Sequence, residues 1–172
     1  DLEFTVARDL AAAICSHLVS RGSPLDWCCQ TRADNLDPEI VGLMKRAGCR
    51  LVHIGVESGS PEILSSSGKA TSKEAIHNGI RMLEAAGIET LAFFMFGLPG
   101  ETGAQRDETI RFAVDLDPTY ASFHFATPYP GSKLFAAAGL SVADDLCFPL
   151  VPPGENIDEL KRWVRKGMRS FY

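Results

Sequence analysis

A carboxylate, two hydroxyls and two glycines stand close together in Gly55-Val56-Glu57-Ser58-Gly59-Ser60, directly after the apolar run Leu51-Val52-His53-Ile54. Parallel sheets bind their ligands where a strand gives way to polar, Gly-rich sequence of this kind. The Glu57 carboxylate can accept from two hydroxyls at once, and the Ser58 hydroxyl can donate or accept. Glu57 capping the next helix or accepting from turn amides is an equal alternative. Arg32, in Thr31-Arg32-Ala33-Asp34, presents the fork that grips a carboxylate through two parallel bonds. The plainer reading is a surface pair with Asp34, worth at most about 1 kcal/mol. His53 and His124 read first as core histidines bonded to their neighbours, and second as groups that touch a substrate or move a proton. Gly97-Leu98-Pro99-Gly100 is a turn that Gly and Pro form readily, and Phe93, Phe94 and Phe96 read as core.

The elements that must position these groups follow from alternating periods. Over residues 4–19, Val6, Leu10, Ile14 and Leu18 recur at i, i+4 and mark a helix that Gly22 can end. A short strand is expected over 25–32. Asp37-Pro38-Glu39 has the cap, the first-turn Pro and the dipole-favourable acid of a helix start, and Ile40, Leu43, Met44 and Ala47 continue the helix to Gly48. The second strand spans 50–56. A capping box at Thr71-Ser72-Lys73-Glu74 opens a helix through Ile76, Ile80 and Leu83 to Gly87, and the third strand spans 90–96. A helix over 102–115 leads to a strand over 120–126. The stretch 140–155 is irregular, and 156–169 is a last amphipathic helix through Ile157, Leu160, Trp163, Val164 and Met168. Ala47-Gly48 and Ala86-Gly87 before two strands hint at a repeated unit.

Four helix-then-strand units predict a mainly parallel α/β sheet whose strand ends share one face. No strand leads into G-x-G-x-x-G or a Lys-Ser/Thr phosphate loop, so dinucleotide and P-loop sites are unsupported. Strand parity groups Cys28, Gln30 and Arg32, then Leu51, His53, Gly55 and Glu57, then Ser122, His124 and Ala126, so one face is more polar than a packed interior. Trp27, Val52, Ile54, Phe123 and Phe125 suit packing under helices. That contrast favours part of a (β/α) barrel, although the units are too few to close one of eight strands.

At 172 residues, 45% apolar and net charge −5, the chain can bury a core and has no basic footprint for nucleic acid. No apolar run approaches the roughly 20 residues that span a bilayer. Cys15, Cys28, Cys29, Cys49 and Cys147 form no C-x-x-C pair or secreted framework, which points to the cytoplasm, with the thiols as small buried groups.

The order of these words resembles the radical S-adenosylmethionine (radical SAM) enzymes, most closely the branch in which a cobalamin-binding domain often precedes the radical domain. The resemblance rests on Phe4-Thr5, Trp27-Cys28 through Asp34, Met44 with Ala47-Gly48-Cys49, Gly55 to Ser60, Phe94-Met95-Phe96-Gly97-Leu98-Pro99-Gly100-Glu101-Thr102, and Ala126-Thr127-Pro128-Tyr129-Pro130-Gly131. It extends to Arg169-Ser170-Phe171-Tyr172. It implies a partial (β/α)6 TIM-like barrel, of which this chain is the segment from the end of the second strand through the sixth plus a C-terminal helix. Residues 1–139 would be the barrel part and 140–172 a C-terminal extension.

By the same resemblance Glu57 and Ser58 contact the ribose and methionine parts of S-adenosylmethionine, and Arg32 the methionine carboxylate. Gly97, Leu98 and Pro99 lie near the adenine, Thr127, Pro128 and Tyr129 form another part of that wall, and Gln30, His53 and His124 face substrate. The family's C-x-x-x-C-x-x-C, which ligates a [4Fe-4S] cluster, is absent, and dispersed cysteines cannot replace it. The chain is therefore expected to be an excerpt whose cluster ligands lie upstream, with no metal ligand of its own; Leu2 replaces a common Asp beside Asp1. The implied reaction is reductive cleavage of S-adenosylmethionine to a 5′-deoxyadenosyl radical, for methyl transfer to an unactivated carbon or for cyclisation. Its partners would be a small-molecule substrate and a reductant such as a flavodoxin or ferredoxin, with cobalamin in a separate domain. The runner-up is a non-catalytic half-barrel scaffold that has lost the cluster. A barrel lyase using Glu57 with Lys69 or Lys133 is disfavoured, because neither Lys is expected on a strand facing the site.

Overall fold

The computed structural model describes residues 3–22, 25–66, 71–137 and 151–172. In chain order the elements are α1 (Arg8–Ser20), β1 (Trp27–Thr31), α2 (Pro38–Arg46), β2 (Cys49–Glu57), α3 (Pro61–Ser66), α4 (Lys73–Ala85), β3 (Glu89–Phe96), α5 (Gly103–Leu116), β4 (Tyr120–Phe125), α6 (Lys133–Ala137) and α7 (Ile157–Phe171). The strands form one parallel sheet in the order β1-β2-β3-β4. Parallel neighbours need crossover connections, and α2, α4 and α5 supply them, so all four strands end on the same edge. This is the α/β partial-barrel architecture expected from the alternation. The 139/140 boundary, Asp1, Leu2, Lys69 and Cys147 lie outside the described residues.

One face of the sheet is covered and the other is open. Val52, Ile54, Val56, Ala92, Phe94, Phe96, Ala121 and Phe123 are buried, and Phe123 stacks on Phe94 and Phe96 with centroids 5.1 and 5.9 Å away. Between them, on the other side of the pleat, Gln30, His53, Leu91, Phe93, Met95, Ser122 and His124 are exposed or half-buried. Phe94 and Phe96 are core as expected, whereas Phe93 is on the open face. Its neighbours in sequence take the covered side, and the period of two leaves it no choice.

Local chemistry sets the helix ends. Asp37 Oδ1 accepts from Ile40 N at 2.9 Å, with Pro38 in the first turn. The α4 cap is Ser72, which accepts from Ala75 N at 3.1 Å, rather than Thr71. Thr102 and Gln105 form a reciprocal capping box at the start of α5. Gly22, Gly48 and Gly87 all take positive φ just beyond helices, a conformation in which glycine meets no Cβ penalty.

Two helical stripes differ from expectation. α1 starts at Arg8, later than expected; its buried residues are Ala11 and Cys15, while Leu10 is 61% exposed and Val6, ahead of the helix, 62%. Small side chains let α1 approach its neighbours closely, and that approach turns the bulkier stripe outward. In α7 Leu160 is buried but Met168 is exposed, and Gly167 takes the inner position. A Cβ there would lie 2.7 Å from the Phe123 ring. The short elements Ala33–Asn35, Pro61–Ser66 and Lys133–Ala137 are below the length at which periodicity speaks. Beyond α7 the Tyr172 hydroxyl accepts from Ala121 N at 3.1 Å and donates to Ala121 O at 3.2 Å, against β4.

Candidate functional site

The Glu57 turn is built from strain and stapled down. Glu57 ends β2 at φ +69°, a left-handed conformation uncommon for a residue with a long side chain. Ser58 N donates to Val56 O at 3.0 Å, closing a three-residue turn of the rarer, strained hand. The ladder to β3 shifts register between Gly55 and Glu57, so Glu57 leaves the regular pleat at the strand end. Such outliers persist where surrounding structure over-determines them, and they gather at binding sites.

The surroundings here are α5. Gly59 N donates to Thr109 Oγ1 at 2.9 Å, Ser58 Oγ lies 3.1 Å from that oxygen, and Ser60 N donates to Ser58 Oγ at 3.1 Å. Gln105 Nε2 reaches Ser60 Oγ at 3.3 Å and Glu62 Oε2 at 2.9 Å. A Cβ on Gly59 would sit 2.7 Å from Phe112 Cβ and 2.8 Å from Glu108 O, so only glycine allows this approach. Ser58 is 0% exposed. Its hydroxyl holds the loop together and is not brought to the open face.

The second loop follows β3. Gly97 takes φ +79° and donates its N–H to Glu101 Oε2 at 2.6 Å, and Leu98 O accepts from Glu101 N at 3.0 Å. The Glu101 side chain is fully buried and meets Arg106 Nε at 3.2 Å. Arg106, 5% exposed, also bonds Glu155 at 2.6 Å and Glu159 at 3.3 Å. Burial pushes the Glu101 carboxyl above its ordinary range, against the Gly97 amide and Arg106, which favour its charge. Its Oε1 has no hydrogen-bond partner among the described residues. Gly97, Leu98, Pro99 and Gly100 line a pocket of about 340 Å³ together with Leu134, Pro152, Pro153 and Glu155. Glu57, Arg32, Thr127, Pro128 and Tyr129 do not line it.

The remaining expected residues spread along the same edge and face. Arg32 bonds Asp34 through two nitrogens, at 2.9 and 2.5 Å, so its fork is engaged within its own loop. Ala126 N donates to Phe96 O at 2.8 Å, setting Thr127, Pro128 and Tyr129 beside the Gly97 loop, with Pro128 buried and Tyr129 62% exposed. On the open face Phe93 stands between two imidazoles, its centroid 5.7 Å from those of His53 and His124. His124 Nε2 lies 2.8 Å from Ser122 Oγ, and Gln30 is in register with His53.

The cysteines are less dispersed in space than in sequence. Cys29 and Cys49 share a thiol hydrogen bond that, with burial, pushes Cys29 up, and burial near Cys49 pushes Cys15 up to about 11. They stand on the covered side among core residues, away from the open face. Among the described residues no group of three His, Cys, Asp or Glu side chains could hold a metal ion. The described residues therefore do not by themselves fit an iron–sulfur cluster.

Thr109, Gln105, Glu101 and Arg106 were not singled out from sequence. The available signal was polar residues, Arg106 and Thr109, lying at helical spacing in line with Ile110, Ala113 and Leu116, all of which are buried.

Comparison with known proteins places this geometry. The profile of the Radical SAM superfamily matches residues 3–113. An uncharacterized methyltransferase of Pyrococcus horikoshii is 29% identical over 184 residues, which cover 100% of this chain and 39% of the relative. An anaerobic magnesium-protoporphyrin IX monomethyl ester cyclase of Rubrivivax gelatinosus is 32% identical over 141 residues, 81% of this chain and 25% of the relative. The solved structure of the radical S-adenosylmethionine methyltransferase TsrM from Kitasatospora setae, with cobalamin and a [4Fe-4S] cluster bound, superposes with a TM-score of 0.70 at 25% identity, covering 81% of this chain and 28% of that one. The chain thus spans well under half the length of these relatives.

Proposed function

The chain belongs to the radical SAM superfamily, and from that premise we propose that its strand ends hold S-adenosylmethionine in an enzyme of methyl transfer or cyclisation. The observation that carries this reading is Glu57, held at φ +69° on a buttressed turn at the end of β2. A carboxylate there can accept both hydroxyls of a ribose. The Gly97–Pro99 turn offers backbone and apolar surface to an adenine, and Thr127, Pro128 and Tyr129 flank it. Arg32 takes the methionine carboxylate by exchanging Asp34, an exchange made easier by the partial exposure of both side chains, 27% and 25%.

Reductive cleavage at a cluster is chemistry that the cofactors supply, with ligands from sequence other than the described residues. The chain's own work is to orient the nucleoside and keep water from it. Gln30, His53 and His124 face the substrate. The His53, Phe93 and His124 rings stand inclined to one another, at 84° and 44°, so they offer a substrate polar edges beside an apolar ring rather than one flat platform. Cobalamin in a separate domain and a flavodoxin or ferredoxin as reductant in the cytoplasm complete the reading. Among the described residues no helix is long and apolar enough to cross a membrane.

The test is anaerobic reconstitution of the intact protein, followed by titration with S-adenosylmethionine. Wild type should bind and perturb the cluster spectrum, and Glu57→Ala should weaken binding by about 1–3 kcal/mol. A protein that binds none, or an alanine variant of unchanged affinity, refutes the assignment.

A further inference from the structure

We propose that Thr109 is a positioning residue for Glu57, acting across the gap between α5 and the end of β2; this rests on the cofactor role given to Glu57 above. The argument is an inventory of one hydroxyl. A threonine hydroxyl has one proton to donate and two lone pairs. Thr109 Oγ1 donates to Gln105 O at 3.0 Å, which uses the proton. The oxygen then accepts from Gly59 N at 2.9 Å, and its second lone pair is left for Ser58 Oγ at 3.1 Å, so Ser58 is the donor of that pair. Ser58 in turn accepts from Ser60 N at 3.1 Å.

Every capacity of the Thr109 hydroxyl is therefore used, and two of its three bonds go to the residues immediately after Glu57. Thr109 and Ser58 are both 0% exposed, so water cannot replace a bond that is lost. Glu57 itself is held in a conformation that its side chain disfavours, and a strained residue relaxes when its restraint is removed. Gly59, seated against Phe112 and Glu108, fixes the height of the loop; the hydroxyl fixes its register along α5. Because Arg106 on the same helix meets Glu101, which holds Gly97, α5 sets the two strand-end loops relative to one another.

Thr109→Val keeps the branched shape and removes the hydroxyl, and Thr109→Ser keeps the hydroxyl. S-adenosylmethionine affinity of the reconstituted intact protein is measured for both variants, in wild-type and Glu57→Ala backgrounds, with hydrogen exchange at the Gly59 amide as an independent readout. Thr109→Val should weaken binding about tenfold in the wild-type background and less than about twofold with Glu57→Ala, and Thr109→Ser should recover most of the loss. The Gly59 amide should exchange faster in Thr109→Val only. An equal loss in both backgrounds overturns action through Glu57, and unchanged Gly59 exchange overturns the clamp itself. Wild type that binds no S-adenosylmethionine overturns the functional reading instead, and the exchange arm then decides the clamp alone.

Discussion

Replacing Arg106 by Met isolates the electrostatics of the Gly97 loop, because the Met side chain keeps most of the apolar stem while the guanidinium is lost. Glu101, with no side-chain exposure, would keep only backbone amides, that of Gly97 foremost, as close donors. Removing one partner of a buried pair typically costs about 3–5 kcal/mol, since the other charge remains desolvated. For a chain of this size that corresponds to a fall in Tm of roughly 6–20 °C. The sign of the pH dependence follows from Glu101. Burial already raises its carboxyl above the ordinary value, and losing Arg106 raises it further. A carboxyl whose folded pKa is raised is best tolerated below its unfolded pKa and becomes a burden as pH rises through the folded value. The deficit of Arg106→Met should therefore be largest near pH 8 and shrink toward pH 5. Urea unfolding followed by circular dichroism at both pH values measures it. Adding Glu101→Gln removes the buried charge while leaving an oxygen for Gly97, so the double variant should recover to within about 2 kcal/mol of wild type. A single variant that loses under about 1 kcal/mol, shows the same deficit at both pH values, or is not improved by the second change refutes the reasoning.

Gly59→Ala places a Cβ against backbone atoms of Glu108 and Thr109 that cannot swing aside; thermal unfolding should show a loss of about 1–3 kcal/mol, with weaker S-adenosylmethionine binding. Asp37→Ala removes the α2 cap and should cost about 1 kcal/mol. Because Arg8 and then the Ile40 amide hold the Asp37 carboxyl below its ordinary range, that deficit should be present at neutral pH and fade as acid protonates the group, as urea midpoints across pH 2–7 would show. Alkylation followed by peptide mapping should label exposed Cys28 first, whereas Cys15 and Cys49 should react only under denaturing conditions, being fully buried.

Much of the fold was legible because its units repeat a strong alternation. Asp37-Pro38-Glu39 and the glycines after α1, α2 and α4 mark boundaries through local chemistry, and those boundaries agree with the structure to within a residue or two. The face of α1 was not legible. The segment carries one stripe through Val6, Leu10, Ile14 and Leu18 and another through Ala11 and Cys15, and hydropathy favours the bulkier one. Which is buried depends on how closely α1 can approach α2 and the sheet, a tertiary quantity. At the site, Glu57 could be placed at a strand end from where the apolar run stops, and β2 does end there, although the register shift takes Glu57 out of the regular pleat. Ser58 could not be assigned a direction, since its hydroxyl turns inward only because Thr109, 51 residues later, meets it. Long-range pairing of this kind, like that of Arg106 with Glu155, 49 residues apart, leaves no periodic trace.

The small contact between Tyr172 and Ala121 bears on solubility. Among the described residues β4 pairs with β3 on one side only, and a strand with an unpaired side is a template for another chain. The Tyr172 hydroxyl meets both the N–H and the C=O of Ala121, so the aromatic ring lies where an incoming strand would have to form its ladder. A phenol placed there would compete with an incoming strand for the Ala121 backbone groups. Tyr172→Ala, which removes both hydroxyl and ring, should show itself as a rise in light scattering on concentration, and Tyr172→Phe as a smaller one.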